Sequence, residues 1–202
     1  MTYYQPLQVI GFHSCDKEVG LKVLNGKMDL NPSENVWDWL GSGIYFWEQN
    51  PGRALEYANE SAAGKQKNKI RIATPFVIGA VIEPGKCLNL LEPTSLAAVR
   101  NAYCWMERFY ADSGKELPVN MGARRELDCM VIQAVHEYVK IKGEQPYDTV
   151  RSAFQEGGEL YKGSNFTERL HVEVCVINKD LIKGYFLPRP IAMFNPYLHK
   201  VA

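Results

Sequence analysis

The sequence predicts an α+β protein, and three observations support this fold class. Apolar stretches rich in β-branched and aromatic residues lie near both ends of the chain and predict strands. The middle of the chain favours helices, and within 122–140 apolar residues recur at spacings of three and four. The 202-residue length suits one domain, and no internal linker or repeat divides it. We therefore expect a single domain over 1–202, with a helical elaboration at about 93–142.

Turn residues mark the ends of most predicted elements. Asn25-Gly26 is a helix C-cap signal, and Asn50-Pro51-Gly52 opens the next helix. A polar stretch at 155–170 is expected to be a long loop, and 181–190 closes the fold. The predicted strands are 7–13, 43–48, 75–85, 147–154 and 170–178. The predicted helices are 16–26, 50–62, 95–112 and 122–140.

Composition excludes several function classes. Lys and Arg number 23, as do Asp and Glu, so the chain does not bind nucleic acid through overall charge. A local basic run at Lys65, Lys67, Lys69 and Arg71 is the exception, although a solvated loop would look the same. We see no signal peptide and no apolar stretch long enough to cross a membrane, so we expect a cytoplasmic protein.

The cysteines also indicate a cytoplasmic protein. There are five, an odd number, and none forms a C-x-x-C pair. This pattern is typical of a reducing compartment and predicts no structural metal site.

The strand 170–178 carries a candidate site. Side chains alternate along a strand, so His171, Glu173 and Cys175 share one face while valines occupy the other. A histidine and a carboxylate two residues apart can serve acid–base chemistry, or they can simply line a wet face of the sheet. These residues alone do not distinguish the two interpretations.

Three motifs, taken in chain order, resemble a known family. They are His13-Ser14-Cys15, then Gly41-Ser42-Gly43-Ile44-Tyr45-Phe46-Trp47 followed by a helix, and Glu173-Val174-Cys175-Val176-Ile177. The set resembles the ADP-ribosyltransferase fold, and within it the His–Tyr–Glu group that includes the poly(ADP-ribose) polymerases and diphtheria-like toxins. The resemblance implies a split β-sheet core with flanking helices. Where the family usually has glycine after the motif histidine, this chain has Ser14.

The resemblance implies that NAD is the substrate and that no metal takes part. It places nicotinamide against Tyr45, the adenosine ribose on His13, and the carboxamide on backbone near Ser14. It implies that Glu173 stabilises the oxocarbenium-like ribose as nicotinamide leaves. The residues expected to bind NAD are His13, Ser14, Gly43, Tyr45, Phe46 and Arg53. The catalytic residues are expected to be His13, Tyr45 and Glu173.

The chain is also similar to bacterial ADP-ribosyltransferase toxins of toxin–antitoxin and phage-defence modules. This similarity implies mono-ADP-ribosylation of a macromolecule, with nucleic acid (RNA, including mRNA bases) favoured over protein, and an antitoxin as a possible partner. Glu168 is the runner-up for the catalytic glutamate. The residues expected to select the acceptor are His171, Glu168, Tyr161 and Phe166.

Two other functions fit the same residues. In an NAD glycohydrolase, water would accept the ADP-ribose. In a catalytically inactive module of the same fold, nucleotide or RNA would bind without turnover.

Overall fold

The computed structural model describes residues 8–65 and 72–199, which form a sheet of seven strands packed against helices. The strands are β1 (Val9–Asp16), β2 (Ile44–Glu48), β3 (Pro75–Ile82), β4 (Cys87–Asn89), β5 (Thr149–Glu159), β6 (Thr167–Val176) and β7 (Ile182–Phe186). The α-helices are α1 (Lys17–Leu24), α2 (Pro51–Ala62), α3 (Pro93–Asp112), α4 (Glu126–Ile141) and α5 (Ile191–Phe194). A 3-10 turn covers Lys179–Leu181.

The sheet order is β4-β5-β6-β2-β1-β3-β7, and only the β4–β5 pair is parallel. This mixture of a largely antiparallel sheet with helices confirms the α+β prediction. Helices α3 and α4 fill the chain between β4 and β5, in the region expected to be a helical elaboration. Within the described residues, no helix has the length and apolar character needed to cross a membrane.

The prediction of a long polar loop at 155–170 is wrong. Strand β5 continues to Glu159 and β6 already begins at Thr167, with Gln155 paired to Leu170 and Glu156 paired to Arg169. Most residues of this outer part are exposed, and its half-buried strand positions are the polar Glu156, Thr167 and Arg169. Its sequence therefore lacks the apolar alternation that marks a half-buried strand. The three-residue strand β4 was not expected, because its sequence is too short to show a period.

The joint between β1 and β2 is short. Strand β1 pairs with β3 along its whole length but with β2 only at Gly11–Glu48 and Phe12–Trp47. The seven strands therefore form one hydrogen-bonded sheet, which narrows to two residue pairs between β1 and β2. Beyond the joint, the His13 imidazole occupies the place of the missing ladder, with Nδ1 2.8 Å from the Tyr45 carbonyl oxygen.

The sheet has two covered faces. One face packs against α1 and contributes the main apolar core: Val9, Cys15, Ile44, Phe46, Phe76, Ile78, Ala80, Ile82, Val174 and Val176. On the other face, α2 covers β1 and β3 around Phe12, Trp47 and Ala54, while α3 and α4 cover β5 and β6 around Val150 and Cys175. We call this second face the site face, because strand alternation places Tyr45 and Glu173 on it.

Candidate active site

The three motifs lie on neighbouring strands of the sheet. His13, Tyr45 and Glu173 are far apart in the chain, yet they lie on three consecutive strands of the sheet, β1, β2 and β6. Across β2 and β6, Tyr45 pairs with Cys175 and Trp47 pairs with Glu173. Glu173 is therefore directly opposite Trp47 and a diagonal neighbour of Tyr45 on the site face.

The Tyr45 side chain is fixed by its hydroxyl group. The hydroxyl donates to the carbonyl oxygen of Gly41 at 2.7 Å and accepts from the amide of Leu40 at 2.9 Å. Burial raises the pKa of Tyr45 well above its usual range, so the phenol stays protonated. The ring is half-buried and held rigidly by the loop that precedes β2.

Glycine at position 43 is required by a close approach between strands. A Cβ built on Gly43 would lie 2.5 Å from the Cys175 Sγ and 2.8 Å from the Val176 carbonyl oxygen. Gly43 therefore allows β2 to begin directly against β6, which sets the register between Tyr45 and Glu173. This is a structural contribution to the site, whatever ligand binds there.

His13 lies on the opposite face of the sheet from Tyr45 and Glu173. Strand alternation places it with Phe46, and the two ring centroids are 5.6 Å apart. Burial lowers the pKa of His13, although the bond to the Tyr45 carbonyl raises it in part. A neutral ring that donates from Nδ1 to a carbonyl leaves Nε2 as an acceptor.

Ser14 and Phe46 have structural contacts. The Ser14 hydroxyl donates to the Ala54 carbonyl oxygen, which ties β1 to α2. Phe46 is fully buried in the main core, so its side chain packs in the core rather than lining a ligand site. The prediction that Phe46 contacts NAD is therefore corrected: its side chain belongs to the core.

Glu173 and His171 form a pair on the site face. The His171 Nε2 lies 3.2 Å from the Glu173 Oε1, so the imidazole N–H donates to the carboxylate. The Glu173 side chain keeps 17% of its surface exposed, whereas the His171 side chain keeps 2%. Glu173 is thus accessible to a ligand while its carboxylate is oriented by a buried partner.

The runner-up Glu168 lies elsewhere. It is five residues from Glu173, about 16 Å along the strand, and alternation turns it to the other face. Its carboxylate accepts from the amide of Gly158 at 3.3 Å and packs against Gly157. The geometry therefore favours Glu173 over Glu168 as the carboxylate beside Tyr45.

Arg53 lies above the site face, in the first turn of α2. Asn50 caps this helix by accepting from the Arg53 amide at 2.9 Å. The guanidinium lies over the rings of Trp47 and Tyr57, at 5.6 and 5.9 Å from their centroids. Its Nη2 donates to Glu156 of β5 at 2.8 Å.

Ion pairs join α2 to the outer part of the β5–β6 hairpin. Arg53 binds Glu156, and Arg169 binds both Glu56 and Glu60. Glu156 and Arg169 are themselves paired across the hairpin. We call these contacts the hairpin clasp, because they hold the hairpin beside α2, next to His171 and Glu173.

The remaining acceptor candidates are not near Glu173. Tyr161 and Phe166 are exposed in the turn between β5 and β6, at the far end of the hairpin. Of the basic run, Lys65 is exposed, and Lys67, Lys69 and Arg71 lie outside the described residues. The structure does not bring Tyr161 and Phe166 together with the motif residues.

Trp47 is the site residue that sequence reasoning missed. It pairs with Glu173 across the strands, packs against Tyr57 at 5.0 Å between ring centroids, and lies beneath Arg53. The aromatic residue after Phe46 was visible, but only the register shows that it faces the glutamate. Register depends on pairing between strands more than one hundred residues apart, which no local pattern encodes.

Comparison with known proteins identifies no relative: no family model, no curated protein and no solved structure matches the chain. Over residues 8–65 and 72–199, no cluster of three His, Cys, Asp or Glu residues is arranged to hold a metal ion. The assignment of a function therefore depends on the geometry of the site.

Proposed function

We propose that this protein is an NAD-dependent mono-ADP-ribosyltransferase of the His–Tyr–Glu kind. One observation carries the proposal: the three motif residues, His13, Tyr45 and Glu173, occupy three adjacent strands in the order β1, β2, β6. Motifs that matched by chance would not be expected to fall on neighbouring strands. The short β1–β2 joint also supports an ADP-ribosyltransferase-like core, in which the sheet opens between the first two motifs.

In this reaction the bond between nicotinamide nitrogen and the ribose carbon breaks. Nicotinamide leaves with the bonding electrons and becomes neutral, while positive charge develops on the ribose. A fixed carboxylate at that point stabilises the transition state more than the ground state. Glu173 suits this role, because it is partly exposed and oriented by His171 at 3.2 Å.

The other motif residues would bind NAD. The rigid, protonated Tyr45 ring offers a flat surface to nicotinamide, next to Glu173. His13 faces the other side of the sheet from Tyr45, so it would meet the adenosine ribose at the short β1–β2 joint, where its neutral ring keeps an acceptor nitrogen. Backbone near Ser14 would hold the carboxamide. Gly43 keeps the strands close, and Arg53 supplies a buried positive charge above the same face.

We favour nucleic acid, RNA in particular, as the acceptor, with protein as the alternative. A toxin of this kind would act in the cytoplasm and would require an antitoxin partner. His171, hydrogen-bonded to Glu173 at 3.2 Å, would receive the acceptor proton as the new bond forms. An NAD glycohydrolase would use the same residues with water as acceptor, and an inactive binding module would hold the ligand without releasing nicotinamide.

The test is nicotinamide release from NAD by purified protein, compared between two variants. Glu173→Gln should reduce release at least a hundredfold while NAD still binds, because the amide cannot stabilise the developing charge. Glu168→Gln is the matched control and should retain wild-type release, since Glu168 lies on the other face of the hairpin. Equal loss in both variants, or full activity in Glu173→Gln, would contradict the proposed role of Glu173.

A further inference from the structure

Four buried nitrogen atoms around Glu173 have no hydrogen-bond partner among the described residues. They are Trp47 Nε1, Arg53 Nε, Arg53 Nη1 and His171 Nδ1. Their residues are only 6–8% exposed: Trp47 7%, Arg53 8% and His171 6%. The described part of the chain contains only two other such atoms, on His136 and Thr167, so the orphaned groups are concentrated at this one place.

The four atoms belong to one neighbourhood on the site face. Glu173 is the cross-strand partner of Trp47 and the hydrogen-bond partner of His171, so it neighbours both. The Arg53 guanidinium carbon is 5.6 Å from the Trp47 ring centroid. Tyr57 packs beside Trp47 and gives the site a second aromatic wall.

Folded proteins seldom leave buried N–H groups without an acceptor, because each one loses its hydrogen bond to water. The indole and guanidinium nitrogens can only donate. They therefore lack an acceptor among the described residues, apart from the Glu56 carboxylate 3.5 Å from Arg53 Nη1, and an oxygen of a bound molecule would supply one. The His171 ring donates from Nε2 to Glu173, so in its neutral form Nδ1 is an acceptor and requires a donor.

The charges at the site select among possible ligands. Arg53 already contacts Glu156 at 2.8 Å and Glu56 at 3.5 Å, and Glu173 adds another carboxylate nearby. A fully charged anion would be repelled by these carboxylates, whereas a neutral carbonyl oxygen would not. Donors and acceptors placed side by side are complementary to an amide, which offers both a carbonyl oxygen and an N–H.

We propose that Trp47, Arg53 and His171 form a subsite for an amide carried on a flat heteroaromatic ring. The aromatic walls of Trp47 and Tyr57 contact the ring, Trp47 Nε1 and Arg53 donate to the carbonyl oxygen, and His171 accepts from the N–H. Two molecules of the proposed reaction share this chemistry: nicotinamide, and a nucleobase with a ring amide such as guanine or uracil. The choice of these probes rests on the proposed function, but the orphaned atoms do not.

The experiment observes the Trp47 indole directly in the full chain labelled with nitrogen-15. The chain has four tryptophans, and the indole N–H signal of Trp47 is identified by its loss in Trp47→Phe. Nicotinamide is titrated against 3-methylpyridine, which lacks the amide. Guanosine is titrated against adenosine, which lacks a ring carbonyl.

The subsite predicts a saturable downfield shift of the Trp47 signal with nicotinamide, with guanosine, or with both. Nicotinamide alone assigns the subsite to NAD, with the carboxamide held by Trp47 and Arg53 instead of the backbone near Ser14. Guanosine alone assigns the subsite to the acceptor. Trp47→Phe, which keeps a ring but removes the N–H, should weaken binding about three- to tenfold. Trp105→Phe is the matched control on an exposed residue of α3 and should leave binding unchanged.

The subsite would be overturned if neither nicotinamide nor guanosine shifted the indole N–H signal of Trp47, and if water were the only molecule in contact with that N–H. An equal shift with 3-methylpyridine or adenosine would also overturn it, because stacking alone would then explain binding. The outcome is separate from that of the proposed function. If the protein releases nicotinamide from NAD but no amide shifts the Trp47 signal, the subsite is refuted and the proposed function stands. If an amide shifts the Trp47 signal but NAD is not consumed, the subsite stands and the proposed function is refuted.

Discussion

The hairpin clasp makes a prediction about local stability. Arg169→Gln removes two ion pairs, to Glu56 and to Glu60, that join β6 to α2. The three side chains are 31%, 42% and 20% exposed respectively, so solvent weakens each pair. Partly exposed ion pairs contribute about 0.2–1 kcal/mol each, which gives about 0.4–2 kcal/mol for the two.

We expect this loss to appear in the hairpin rather than in the whole protein. Leu160 and Leu170 of the outer hairpin are exposed, so few apolar contacts hold this region against the rest of the fold. In native-state hydrogen exchange, amides of 155–170 should exchange about 2- to 30-fold faster in Arg169→Gln. Amides of β1 and β3 should keep their wild-type rates, and added salt should shrink the difference at the hairpin.

The matched control is an exposed ion pair elsewhere. Lys183 of β7 binds Glu83 at 3.1 Å. Lys183→Gln should leave the exchange rates of the hairpin amides unchanged and should lower the free energy of unfolding by no more than about 0.5 kcal/mol. Unchanged hairpin exchange in Arg169→Gln would refute the clasp. So would a uniform loss of protection over the whole sheet, because the ion pairs would then support global rather than local stability.

Three further predictions concern the motif residues. Gly43→Ala would place a Cβ 2.5 Å from the Cys175 Sγ and should lower the free energy of unfolding in urea by about 1–3 kcal/mol, whereas Gly184→Ala, with open space around it, should be nearly neutral. Tyr45→Phe removes both hydroxyl hydrogen bonds to the loop and should cost about 1–3 kcal/mol in the same assay; an unchanged midpoint would show that the hydroxyl is not needed to hold the ring. Burial lowers the pKa of His13 in the folded protein, so folding favours the neutral ring. The contribution to stability is present above about pH 6.5, the pKa of an unperturbed histidine, and declines as the pH falls towards the pKa of the folded state. His13→Gln should therefore make the loss of stability between pH 7.5 and 5 shallower, and an identical pH dependence would contradict the assignment.

The motif strands could be predicted from the sequence because each carries its own local signal. The β-branched run around Val174 and the turn residues around Gly43 determine where β6 and β2 lie, and the structure confirms both strands. The choice of Glu173 as the partner of Tyr45 relied on the apolar run that follows it. The register, which makes the two residues diagonal neighbours, agrees with that choice.

The parts that could not be predicted depend on pairing over long distances. No local pattern shows that His13 faces Phe46 across a short joint, or that Trp47 lies opposite Glu173. The outer hairpin carries polar residues on both faces and is held by ion pairs to α2, so it has no hydrophobic period to read. These are also the features that shape the proposed site.

The most direct test of the proposed function uses purified protein and NAD labelled on its adenylate phosphate, incubated with separate RNA, DNA and protein fractions of a cell lysate. We predict that label becomes covalently attached to the RNA fraction, that nicotinamide is released in equal amount, and that Glu173→Gln abolishes both. Label on protein would retain the transferase and reject the nucleic-acid acceptor, and free ADP-ribose alone would make the protein a glycohydrolase. Intact NAD after prolonged incubation with every fraction would contradict the account.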